Sequence, residues 1–168
     1  MSALYVILGL VAAQRAGELV YAERNTRRLR ARGAVEAAAW QHPFFLLLHA
    51  AWLLALSMFV PADTTPNWWL VAAFFALQLA RLWVLASLGP YWTTRIISLP
   101  AAPLVRRGPY RFMKHPNYAI VALEIAVLPF AFGAWRVALV FTLLNLFLLA
   151  LRIRAEEKVL SERRLYQL

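Results

Sequence analysis

The chain has 168 residues and a mass of 19.1 kDa; 62% of the residues are hydrophobic, 15% are charged, and the mean hydropathy is +0.60. Soluble domains are about 45–50% apolar and about 25% charged, so this composition excludes disorder and points to a bilayer as the solvent. The net charge is +10, and the lack of cysteine excludes disulfides, thiolate metal sites and a cysteine nucleophile.

A helical span needs about 20 mainly apolar residues to cross a hydrocarbon core of roughly 30 Å. The first predicted span, 2–21, has no short apolar core followed by a small-residue cleavage site, so it reads as a retained helix rather than a signal peptide. Arg15 and Glu18 lie three apart on one face of it, where they can pair and point into the bundle. The second span, 42–60, is ended by Pro61. The third, 68–88, lies between a turn-like Asp63-Thr-Thr-Pro-Asn67 and the Gly89-Pro90 pair. The apolar stretch after Tyr118 is too long for one crossing, and Pro129 and Gly133 divide it into spans at 118–130 and 134–151. Span 118–130 is about 20 Å long at 1.5 Å per residue, which leaves four spans plus a re-entrant hairpin as the alternative. The expected fold is a single all-α integral membrane domain over 1–168. It has about five transmembrane helices, the last two forming a hairpin, and a cytoplasmic C-terminal helix.

Fifteen of the 18 basic residues fall into three clusters. Arg24, Arg27, Arg28, Arg30 and Arg32 follow the first span. Arg95, Arg106, Arg107, Arg111 and Lys114 follow the third, and Arg152, Arg154, Lys158, Arg163 and Arg164 follow the last. Five alternating spans put all three clusters on one side. The positive-inside rule makes that side the cytoplasm of a bacterial inner membrane and puts the N-terminus outside. Topology and anionic headgroups account for this charge without a nucleic-acid partner.

The segment 89–117 is long for a connecting loop and rich in Tyr, Trp, Thr, Arg and Pro, a feature of functional loops. Lys114 and His115 precede Pro116 at an expected helix start, so a cation, an imidazole and a helix N-terminus converge on a place suited to an anionic group. An interfacial loop with snorkelling cations and aromatic anchors is the plainer reading. Beyond the last span, Arg152 and Glu156 are i,i+4 partners, and Glu157 points about 100° away from Glu156. A solvated charge-paired helix explains that pattern equally well. Glu124 lies inside an apolar helix, where a carboxylate is costly unless it meets a partner or a polar cavity. His42 and His49 share a helical face; two histidines are too few for a zinc site, and both read as satisfied interior residues. No metal site is expected. The absence of G-x-G-x-x-G and of a P-loop argues against a nucleotide-binding α/β domain.

The run Gly108-Pro-Tyr-Arg-Phe-Met-Lys-His-Pro-Asn-Tyr118, followed after a helical hairpin by Arg152-x-x-x-Glu156-Glu157, resembles the isoprenylcysteine carboxyl methyltransferase family. The resemblance covers about Leu88 to Leu160, including Leu88-Gly89 and Trp92-Thr93, and the chain is similar in size to the small bacterial branch. It implies an integral membrane enzyme using S-adenosyl-L-methionine. Tyr110, Lys114, His115, Pro116, Tyr118, Glu156 and Glu157 would hold the cofactor, and Arg152 and Glu157 would lie at the methyl-transfer centre. Where the family usually has Arg before His-Pro, this chain has Lys114, which keeps the charge but loses the bidentate fork. Tyr91-Trp-Thr-Thr-Arg-Ile-Ile-Ser-Leu-Pro100, leading into Pro103-Leu-Val-Arg-Arg-Gly108, resembles members associated with type III polyketide synthases. Those members methylate alkylpyrones, alkylresorcinols or related phenolic lipids.

The expected reaction is O-methylation of a lipophilic acceptor. Tyr91, Trp92, Tyr110 and Phe112 would cover the adenine, the sulfonium or the tail, and Tyr91, Trp92 and Glu124 would face the substrate. A carboxylate acceptor needs only an orienting cation such as Arg152. A phenol, with a pKa near about 10, needs a base, for which Glu157, then His115 or Glu124, are the candidates. A membrane sterol-type reductase using NADPH and a non-enzymatic scaffold or transporter subunit are the alternatives.

Overall fold

The computed structural model describes residues 2–99 and 105–165, with side chains as far as Ser161. Pro100 and Pro103 of the polyketide-associated motif, and the Arg163 and Arg164 side chains, therefore lie outside the described residues. Five helices follow in order: α1 (Ala3–Arg30), α2 (Gln41–Phe59), α3 (Trp68–Leu88), α4 (Pro116–Ala131) and α5 (Trp135–Leu165). The protein is an all-α membrane protein. Helices α1, α2, α3 and α5 are long and apolar enough to cross a bilayer. The 16 residues of α4 span about 24 Å at 1.5 Å per residue.

Two helices run further than the hydropathy pattern indicates. Residues 22–30 carry no glycine or proline, so α1 continues nine residues past its apolar stretch, and Arg24, Arg27, Arg28 and Arg30 lie on that helix rather than in a loop. The extension gains an i,i+4 pair, Arg27 to Glu23 at 3.0 Å. Likewise no glycine or proline interrupts 135–165, so the last span and the tail helix form one 31-residue rod. Helix α4 starts at Pro116, whose fixed φ suits the first helical turn and whose missing N–H costs nothing there. The α4–α5 hairpin turns at Gly133 (φ +68°), where the Ala134 N–H donates to the Pro129 carbonyl at 2.9 Å.

The core repeats at helical spacing: Leu4, Ile7, Leu8 and Val11 of α1 meet Leu48, Trp52 and Leu56 of α2, Phe74 of α3, and Val121, Ile125 and Leu128 of α4. The outward faces are as apolar as the core, with Leu47, Leu79, Leu143 and Phe147 exposed, as a lipid-facing bundle requires. Trp40, Trp68, Trp69 and Trp135 stand exposed at or beside helix starts, where amphipathic rings anchor at a membrane interface.

A buried charge network ties α1, α3 and α4 together. Arg81 grips Glu18 through Nε and Nη2 (2.7–2.9 Å), and its Nη1 reaches Glu124 at 3.3 Å. Arg15 bonds Glu18 at 3.1 Å and Glu124 at 2.6 Å, and Gln78 donates to Glu124 at 2.9 Å. Two arginines balance two glutamates, so the group is neutral as a whole. Removing one member would leave an uncompensated buried charge, at a cost of about 3–5 kcal/mol. The Arg15–Glu18 pair is as the spacing predicts; its partner Arg81 is an addition from the third helix.

At one end of the bundle, α3 meets the α4–α5 hairpin, where the Asn67 N–H donates to the Ala131 carbonyl at 2.7 Å. At the other, the C-terminal end of α1, the N-terminal end of α2 and the middle of α5 gather around the segment linking α3 to α4. That segment contains a short strand, β2 (Ile96–Ser98), which pairs antiparallel with β1 (Val35–Ala37) of the α1–α2 connection in the register Val35↔Ser98 and Ala37↔Ile96. The hydropathy reading contains neither strand. Strands of three residues, Val-Glu-Ala and Ile-Ile-Ser, are too short to carry a period-two signal.

Candidate functional site

The linking segment is clamped on several sides. Asn25, 1% exposed on the α1 extension, donates through Nδ2 to the carbonyls of Gly89 (3.1 Å) and Trp92 (2.9 Å). Glu36 of β1 bridges Arg30 and Arg95, the latter at 3.0 Å. Arg107 Nε donates to the Ser87 carbonyl at 2.8 Å. The next residue, Gly108, sits at φ +57° against α3, where a Cβ would strike the Ser87 side chain. Glycine is required there both by backbone conformation and by space.

Behind this clamp lies a cavity of about 740 Å³. Its apolar wall includes Leu46 and Leu53 of α2, Val121 of α4 and Leu149 of α5; its polar rim includes Lys114, His115, Asn117, Arg152 and Glu156. The volume lies within the range of about 300–1,000 Å³ typical of small-molecule sites.

The rim is a connected network. Arg152 donates Nε–H to the Tyr118 hydroxyl at 2.8 Å and Nη2–H to the Thr94 carbonyl at 2.9 Å. Its guanidinium carbon lies 5.2 Å from the Phe45 ring centre and 5.8 Å from that of Tyr118. Tyr118 donates its hydroxyl proton to Glu156 at 2.5 Å. The His115 ring stacks on Tyr118 (5.2 Å between centroids, 10° between planes), with Nδ1 3.4 Å from Glu156. At 3.9 Å from Glu157, Lys114 and the His115 Nε2 are within electrostatic reach but beyond hydrogen bonding.

Glu156 lies past Leu151, where the apolar stretch of α5 ends. Burial works against its ionisation, but the His115 and Tyr118 contacts and the Arg152 charge outweigh that and hold its carboxyl below the usual range. Burial, aided by Glu156, pushes the Tyr110 phenol well above its ordinary value, so Tyr110 stays protonated where it lines the cavity.

Tyr91, Trp92, Tyr110, Lys114, His115, Tyr118, Arg152 and Glu156 thus line one cavity. Pro116 is buried behind it as the first residue of α4. Three residues stand elsewhere. Glu157 is half exposed outside the lining, because adjacent helical residues point about 100° apart and Glu156 takes the inward position. Glu124, put forward on sequence grounds for the substrate, is 1% exposed, outside the lining, and spent on Arg15, Arg81 and Gln78. Phe112 is 80% exposed and covers nothing in the cavity. Sequence reasoning passed over Asn25, Thr94 and Arg81, which position the site. An arginine in the middle of an apolar span was the one available signal, and it pointed to Arg81. His42 and His49, expected as satisfied interior residues, both line the cavity with one ring nitrogen bonded each: His42 Nε2 to Thr94 Oγ1 at 3.1 Å, His49 Nδ1 to the Phe45 carbonyl at 2.8 Å.

The fold and site define a helical membrane protein with a cavity of small-molecule size at one end of its bundle. Residues 69–162 match the isoprenylcysteine carboxyl methyltransferase family. A Bacillus subtilis protein, YpbQ, is 36% identical over 162 residues, covering 94% of this chain and 96% of its own. A Haemophilus influenzae protein is 26% identical over 144 residues, covering 82% and 83%. Both relatives carry the description uncharacterised protein. No solved structure matches the chain. The chain belongs to the isoprenylcysteine carboxyl methyltransferase family, a family of membrane methyltransferases.

Proposed function

We propose that the protein transfers a methyl group from S-adenosyl-L-methionine to an oxygen of a lipid-tailed acceptor, either a carboxylate or a phenolic or enolic hydroxyl. The observation that carries this reading is one cavity with an apolar wall from α2, α4 and α5 and a charged rim from two distant stretches, 114–118 and 152–156. A polar donor from the cytosol and an oily acceptor from the bilayer need such a shared chamber.

The rim fits the donor chemically. His115 Nε2 and Asn117 Oδ1 are buried and have no hydrogen-bond partner among the described residues, and both residues line the cavity. Buried polar atoms without partners are costly unless a ligand satisfies them. The Asn117 carbonyl oxygen suits the amino or ribose groups of the cofactor. Glu156 suits its ammonium, and Lys114 suits its carboxylate as a point charge. When bound, the cofactor supplies an electrophilic methyl group on a sulfonium. Tyr91, Trp92 and Tyr110 offer aromatic faces to a cation. Arg152, 8% exposed and already oriented by Tyr118 and Thr94, orients an anionic acceptor oxygen. Methyl transfer of this kind depends on alignment and exclusion of water, which a bound acceptor tail against the apolar wall would assist.

The rim end of the bundle is also the basic end, which supports a cytoplasmic site in a bacterial inner membrane with the N-terminus outside. A lipophilic phenol or pyrone made by a type III polyketide synthase is one acceptor compatible with the chamber. The test is incubation of the purified protein with methyl-labelled cofactor and host lipid extract. A labelled, solvent-extractable product identified by mass is expected; no label in any lipid fraction would contradict the reading.

A further inference from the structure

The cavity has a second polar region, deeper than the rim. Helix α2 enters at the rim, where His42 meets Thr94, and its cavity face continues through Phe45, Leu46, His49, Ala50 and Leu53. Arg152 lies over Phe45, and His49 is one helical turn, about 6 Å along the axis, further in. Its other cavity-lining polar neighbours are Arg15, Glu18 and Arg81.

Those charges are spent on one another, except that the Arg15 Nε–H is buried with no partner among the described residues. Both oxygens of Glu18 accept from Arg81, with Gln14 and Arg15 adding one bond each. All three nitrogens of Arg81 are spent on Glu18 and Glu124, and both terminal nitrogens of Arg15 on the same pair. His49 differs. A carbonyl can only accept, so the 2.8 Å bond to the Phe45 carbonyl makes Nδ1 the protonated nitrogen. The neutral ring then holds its remaining lone pair on Nε2, which has no hydrogen-bond partner among the described residues. An imidazole acceptor on the cavity wall suits a ligand that brings a hydroxyl to that depth.

We propose that His49 is a specificity-determining residue for the acceptor: its Nε2 accepts a hydrogen bond from a hydroxyl on the acceptor's head, selecting alkyl-tailed phenols or enols over acceptors without an O–H. This rests on the reading of the cavity as the acceptor's chamber. A site that hydrogen-bonds a hydroxyl discriminates against analogues lacking it, because a buried acceptor is then left unpaired.

The test uses the full chain in lipid nanodiscs, with tryptophan fluorescence reporting binding of 5-pentadecylresorcinol or its dimethyl ether, which share one tail. The native protein is expected to bind the resorcinol about tenfold more tightly, and His49→Phe should bring the two affinities together. His49→Gln, which restores an acceptor oxygen, should recover part of the preference. S-adenosylhomocysteine affinity, read calorimetrically in the same preparations, should be unchanged in His49→Phe, which also shows that the variant is folded. If His49→Phe loses that affinity, His49→Leu serves in its place. Equal affinities in the native protein, or a preference that survives in His49→Phe or His49→Leu, would overturn the proposal. Discrimination that His49→Phe abolishes, by a protein whose native form binds no S-adenosylhomocysteine, would support His49 and count against methyl transfer.

Discussion

Arg152 of α5 and Tyr118 of α4 meet at 2.8 Å, with the guanidinium Nε–H donating to the phenol oxygen while the phenol donates to Glu156 at 2.5 Å. The tyrosine hydroxyl thus relays between a cation and an anion and sets the position of both. Tyr118→Phe keeps the ring that stacks on His115 and deletes the relay. A hydrogen bond to a charged group contributes about 1.5–3 kcal/mol. The variant should therefore fold with stability lowered by about that amount and bind S-adenosylhomocysteine at least about tenfold more weakly. Unchanged affinity in titration calorimetry would mean that the relay does not position the binding groups.

Arg81 faces two carboxylates, and Arg81→Leu leaves Glu18 and Glu124 with Arg15 as the one cation of the network. The expected loss is about 3–5 kcal/mol, seen as a lowered unfolding midpoint in detergent. Glu18→Leu combined with Arg81→Leu removes more bonds yet restores neutrality, with the 2.6 Å Arg15–Glu124 pair intact. The double variant should be the more stable of the two. The reverse order would contradict the network as described.

Gly108→Ala meets two obstacles at once, a φ of +57° and the Ser87 side chain. The linking segment should detach from α3 while the bundle stays helical. Hydrogen exchange across 105–114 should accelerate and S-adenosylhomocysteine affinity should fall, with far-ultraviolet circular dichroism unchanged. Native exchange rates in that segment would refute the argument.

Asn25→Ala strips the Trp92 carbonyl of its donor and leaves the Gly89 carbonyl with only the Trp92 N–H. At about 1–3 kcal/mol per unpaired buried group, the variant should unfold at lower temperature, and Trp92 should become accessible to acrylamide quenching. A quenching profile like that of the native protein would show that the clamp lies elsewhere.

The bundle was legible in the sequence because membrane spans announce themselves by apolar length, and Pro129 with Gly133 marked the hairpin. Helix ends were less legible. Hydropathy stops where lipid stops, whereas a helix stops where its backbone is interrupted, so α1 and α5 ran on into charged sequence. The rim was legible through 108–118 and 152–157, but the role of each residue depended on which face it took. Glu156 turned inward and Glu157 outward. Glu124 found arginine partners on α1 and α3 that no local pattern reveals. Asn25 and Thr94 were invisible for the same reason: Asn25 bonds backbone carbonyls of a distant segment and Thr94 meets side chains of α2 and α5, contacts that no local pattern carries.

The central claim is that the rim formed by 114–118 and 152–156 holds the methyl donor. Titration calorimetry of the purified protein with S-adenosylhomocysteine tests it most directly. Saturable one-to-one heat, lost in His115→Ala, is the predicted result; a folded native protein that gives no heat would contradict the account.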